Sequence, residues 1–109
     1  MAEVQKVSVI GTGTMGSGIA LSFARAGLEV TMRDLEPAPL ERARKAQADA
    51  LKAWVAAGAV AGEEEDRVLG RIRATTDLAE ALEGVDFVLE AVPETLALSE
   101  LESYWTGGT

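Results

Sequence analysis

A short apolar run, Val7-Ser8-Val9-Ile10, leads without a break into Gly11-Thr12-Gly13-Thr14-Met15-Gly16, and the apolar residues beyond it carry helical spacing. No other feature limits the fold so strongly, because a strand that stops on G-x-G-x-x-G and restarts as a helix opens a βαβ dinucleotide-binding unit. Each glycine has its own task there. Gly11 permits the tight turn, Gly13 lets the backbone approach a pyrophosphate, and Gly16 lets the helix pack closely on the strand. The phosphates are received by N–H groups left unpaired at the helix N-terminus. Glycine-rich loops reproduce this spacing by chance, so the surrounding pattern must decide between a binding turn and a merely structural one.

The surroundings favour binding. Ile19, Ala20, Phe23 and Ala24 fall on one helical face, and Gly27 stands where the helix should end. A second strand, Leu28 to Met32, follows and closes on Arg33-Asp34. Asp34 lies about 20 residues beyond the glycine turn, the separation at which a carboxylate accepts hydrogen bonds from the adenosine ribose. The same carboxylate repels a 2′-phosphate and so points to NAD over NADP. Arg33 acts in the opposite sense, since a guanidinium beside this spot can pair with that phosphate. Asp34 can alternatively cap the helix announced by Pro37 and Pro39, and the two roles are compatible.

Farther along, strong helix formers predict a long helix from about Pro39 to Ala57, with Leu40, Ala43, Gln47, Ala50, Leu51 and Trp54 as its largely apolar stripe. Gly58 and Gly62 break it. Glu63-Glu64-Glu65-Asp66 then places negative charge at the favourable end of a short helix through Val68 and Leu69. Arg71 to Ala74 reads as a third strand, Thr76-Asp77 as the cap of a brief helix from Leu78 to Leu82, and Val85-Asp86-Phe87-Val88-Leu89 as a strand buried on both faces. Ligands gather at the carboxyl ends of such strands. Glu90-Ala91-Val92-Pro93-Glu94 sits at one of them, and Pro93 ends the pairing. Glu90 and Glu94 are expected on the nicotinamide side of the crevice, or Glu94 serves the first turn of a following helix. The expected fold is therefore α/β, a Rossmann-type parallel sheet in strand order 3-2-1-4 with helices on both faces.

Composition narrows the partners. With 109 residues the chain is one domain at most, and a net charge of −8 without a long basic cluster excludes nucleic acid. Arg42, Arg44 and Lys45 form a small basic group, flanked by Glu41 and Asp49, that reads as a solvated helix face. There is no cysteine for a disulfide or thiolate site and no histidine, and no metal site is read. No apolar run approaches membrane-spanning length, so a cytoplasmic protein is expected.

Taken in order, these segments resemble the N-terminal NAD-binding domain of the 3-hydroxyacyl-CoA dehydrogenase family, over Val7 to about Leu98. Gly11 through Ala20, Asp34, the helical excursion at about 39–70, Thr75-Thr76-Asp77-Leu78 and Glu90 through Glu94 carry the resemblance. It implies that Gly11, Thr12, Gly13, Thr14, Met15 and Gly16 hold the pyrophosphate of NAD, that Asp34 takes the adenosine ribose and that Glu94 lines the cofactor. It also implies oxidation of a 3-hydroxyacyl-CoA substrate to the 3-oxoacyl-CoA. Departures are specific. Ser99 stands where the family has a lysine, Ala50 and Ala57 stand near positions that contact coenzyme A in some members, and the family's catalytic histidine has no counterpart, so no catalytic residue is assigned.

The last residues, Glu102 to Thr109, leave the family pattern, and the helical substrate and dimer domain is absent, as in a piece of a longer protein or a natural short form. The strand at 85–89 is then expected to be an unprotected edge and a route to self-association. The chain alone is expected to bind NAD without turnover. Two alternatives carry the same opening pattern: the cofactor domain of a gulonate- or carnitine-type dehydrogenase, and a non-catalytic dinucleotide-binding module. FAD is a more distant option.

Overall fold

Alternation along the first two strands decides how the layers stack. The structure, a computed structural model, describes residues 4–91. β1 (Lys6–Ile10) and β2 (Glu29–Arg33) run parallel with Val7 beside Val30 and Val9 beside Met32, so four buried apolar side chains share one face. β3 (Ile72–Thr75) joins β2 with Ile72 beside Val30, and β4 (Phe87–Glu90) joins β1 on its other side with Val7 beside Phe87. The four-stranded parallel order is β3-β2-β1-β4, the strand order expected from the sequence.

Three helices cover the Val7–Val9 face. α1 (Thr14–Arg25) contributes Ala20, Leu21 and Ala24 to the core, α2 (Pro37–Ala56) contributes Leu40, Ala43 and Leu51, and α3 (Glu64–Gly70) contributes Val68. Gly27, at φ +96°, ends the first helix in the left-handed region that a side chain would resist. α2 starts with proline in its first turn, where a missing N–H costs nothing, after Glu36 as its N-cap residue. Arg25 stacks over the Trp54 ring with 4.6 Å to its centroid and Arg71 donates to the carbonyl of Ala24, which joins α1 to the two later helices.

The opposite face carries α4 (Leu78–Leu82), whose Leu78 and Ala81 pack on Ile10. Its N-terminus is capped by Asp77, which accepts from the Glu80 N–H at 3.2 Å. The Ser8 hydroxyl, buried on that face, donates to the carbonyl of Ala81.

β4 departs from expectation. It is shorter than the run at 85–89 and only partly buried, with Phe87 46% exposed, because among the described residues it has a strand on one side only. Asp86 lies outside the strand and instead fastens the start of β1, its carboxylate accepting from the N–H groups of Gln5 and Lys6 at 2.9 and 3.0 Å. These two bonds, the Gln5 bond foremost, hold its carboxyl below the usual range. Among the described residues no helix is long and apolar enough to cross a membrane.

Candidate functional site

Both glycine-turn strands end on the same rim of the sheet. Gly11 leaves β1 at φ +100°, a conformation open to glycine, and its N–H donates to the carbonyl of Arg33 at 2.7 Å, tying the turn to the end of β2. Gly13 is extended and is the N-cap residue of α1, with the Ser17 N–H on its carbonyl at 2.9 Å. A Cβ placed on Gly13 meets nothing within 4 Å. A Cβ on Gly16 would stand 2.1 Å from the carbonyl oxygen of Gly11. The two glycines therefore differ: the protein's own packing requires Gly16, whereas nothing among the described residues excludes a side chain at Gly13.

Thr12 is almost fully buried and directs both of its donors at one oxygen. Its N–H and its hydroxyl reach Asp34 Oδ2 at 3.0 and 2.7 Å, while Asp34 Oδ1 accepts from the Leu35 N–H at 2.7 Å. Asp34 is thus a brace between the turn and the end of β2. The alternative in which it caps α2 does not hold, since that helix begins after Glu36. Thr14 opens α1, and Met15 projects into solvent at 71% exposure. Glu94 lies outside the described residues. Glu90 is exposed at the carboxyl end of β4, beside Ile10, and the neighbouring Ala91 lies against Gly16.

A groove of about 360 Å³ connects these pieces. Thr12, Gly13 and Ser17 form one wall and Asp34 the floor at the end of β2, while Pro39, Arg42, Ala43 and Ala46 form the other wall from α2. The spacing of these four α2 residues is that of a single helical face. Behind them Gln47 is buried, its amide donating to the Ser17 carbonyl at 3.0 Å, so α2 is pinned to the first turn of α1.

One basic position differs from expectation. Arg33 does not face the groove: it is buried on the side of the sheet opposite Met32, with Nε donating to the Thr76 carbonyl at 3.0 Å. The group on α2 lies on an exposed helix face, as expected, but its members differ in what they reach. Arg44 donates to the Ile72 carbonyl at 3.2 Å, Lys45 meets Asp49 at 4.0 Å, and Arg42 lines the groove. The sequence showed Arg42 only as one of a basic group, although its spacing from Pro39, Ala43 and Ala46 would have placed it on their face.

A family model described as the NAD binding domain of 3-hydroxyacyl-CoA dehydrogenase matches residues 6–100. The 3-hydroxybutyryl-CoA dehydrogenase of Mycobacterium tuberculosis is 43% identical over 95 residues, covering 87% of this chain and 33% of that protein. The 5-formyl-3-hydroxy-2-methylpyridine 4-carboxylate 5-dehydrogenase of Mesorhizobium japonicum is 37% identical over 95 residues, covering 87% of this chain and 30% of that protein. Among solved structures, M. tuberculosis FadB2 superposes with a TM-score of 0.85 at 42% identity, covering 92% of this chain and 35% of that one. The chain spans about a third of the length of these relatives.

Proposed function

The chain belongs to the family of 3-hydroxyacyl-CoA dehydrogenase NAD-binding domains, and from that premise we propose that it is the part of a longer oxidoreductase that binds and orients NAD. The groove carries this reading: open space at Gly13 lies across from a carboxylate already acting as an acceptor. In this reading Gly11, Thr12, Gly13, Thr14, Met15 and Gly16 cradle the pyrophosphate. Asp34 receives the adenosine ribose hydroxyls, and Glu94 lines the cofactor beyond them.

The residues suit a dinucleotide chemically. The start of α1 offers backbone N–H donors, and no acidic side chain stands in its first turn to repel an anion. Asp34 presents acceptors to a diol, and the Thr12 hydroxyl holds that carboxylate in place. When bound, NAD supplies the hydride acceptor. The proposed reaction of the whole protein oxidises a 3-hydroxyacyl-CoA to the 3-oxoacyl-CoA, with proton transfer performed outside these 109 residues, which hold no histidine. Residues 1–109 then form the NAD-binding portion, with α2 and α3 as its helical excursion. A cytoplasmic setting and self-association through β4 complete the proposal, the latter supported by the exposure of Phe87.

Calorimetric titration of the 109-residue chain with NAD and NADP tests the reading. Saturable binding that favours NAD, without turnover of a 3-hydroxyacyl-CoA, is the expected result. A folded chain whose melting temperature neither dinucleotide raises would overturn it, because a ligand selective for the folded state must stabilise it.

A further inference from the structure

The groove contains a cation that the reading above leaves without a task. Arg42 projects from the wall that faces Gly13 and Asp34, and it alone among the groove's lining residues is basic. Its basic neighbours on α2 are engaged elsewhere, Arg44 with the Ile72 carbonyl and Lys45 with Asp49. Among the described residues Arg42 forms no ion pair or hydrogen bond, and Asp34 does not neutralise it, since that carboxylate accepts from Thr12 and Leu35 instead. The Asp34 carboxylate and the Arg42 guanidinium thus line one groove without pairing with each other, and a ribose and its 2′ substituent would lie between them.

We propose that Arg42 is the second determinant of dinucleotide selectivity, offsetting Asp34 by receiving a 2′-phosphate. This inference rests on the adenosine end of NAD lying in the groove. Asp34 favours a free diol and repels a phosphate at that position. Arg42 offers a planar, permanently charged donor fork that suits phosphate oxygens. The preference for NAD over NADP is then a difference between two opposed contributions rather than the work of the carboxylate alone. Arg33, which occupies the position next to Asp34, cannot serve, because it is buried toward Thr76 on the other side of the sheet.

The test titrates NAD, with NADP read by its displacement of NAD, into the wild-type chain, R42Q, R42K, D34S and the D34S/R42Q double variant. R42Q should weaken NADP about fivefold while leaving NAD within about twofold, widening the ratio, and R42K should restore part of the loss. D34S should narrow the ratio, and adding R42Q to it should cost NADP more than in the native background because the opposing repulsion is gone. The NADP advantage conferred by Arg42 should shrink with added salt. An unchanged ratio in R42Q, or equal weakening of both dinucleotides, overturns the role of Arg42 while NAD binding stands. No NAD binding by the folded wild-type chain instead overturns the function on which the inference rests.

Discussion

Two glycines three positions apart separate folding from binding. Gly16→Ala forces a methyl onto the Gly11 carbonyl, a backbone atom that cannot move aside cheaply, and should cost about 3 kcal/mol of stability in urea unfolding. Gly13→Val meets open space at a φ of −66° that any residue adopts, so stability should change by less than about 1 kcal/mol. Binding should respond in the reverse order, with Gly13→Val abolishing NAD titration from a folded chain. Asp34→Ala removes the proposed ribose acceptor and the turn's brace together. It should weaken NAD about tenfold and narrow its lead over NADP in the same calorimetric measurement.

Among the elements, Asp86 stands outside its strand and yet holds the sheet edge together. Its carboxyl is kept below the ordinary value of 3.8 by the N–H groups of Gln5 and Lys6, so the folded chain binds this proton less readily than the unfolded one. The stability it contributes is therefore present above pH 3.8 and is lost as pH falls through the lower folded value. Asp86→Asn should flatten the acid limb of a plot of urea midpoint against pH, and an unaltered limb would contradict this account. Much of the frame was legible because its signals are local. The glycine turn, the distance to Asp34, the cap at Asp77 and the stripe from Leu40 to Trp54 each depend on residues close in sequence. What escaped depends on how elements rotate against one another. Arg42 looks like its neighbours Arg44 and Lys45 until α2 is laid beside α1, and Gln47 looks like an imperfect core residue until it meets Ser17. Arg33 was legible in principle, since the alternation that buries Met32 sends Arg33 to the other face.

On the scale of the whole molecule, one face of the sheet is well covered, whereas among the described residues one edge is not. α1, α2 and α3 seal the Val7–Val9 face, whereas Phe87, Val88 and Asp86 border an open hollow of about 540 Å³ along β4. Phe87→Lys should lower any concentration-dependent association seen by sedimentation, because a charge on an edge strand discourages pairing with a second sheet. The carboxyl-end rim is ordered differently, by bonds that need no ligand: the Gly11 and Thr12 N–H groups are already held by Arg33 and Asp34. That brace has a kinetic consequence. If the turn receives phosphate as proposed, it arrives at the encounter in its final shape and has no slow rearrangement to wait for. Stopped-flow traces with NAD in excess should be single exponentials whose rate climbs linearly with concentration, where a loop that had to form would drive the rate to a plateau.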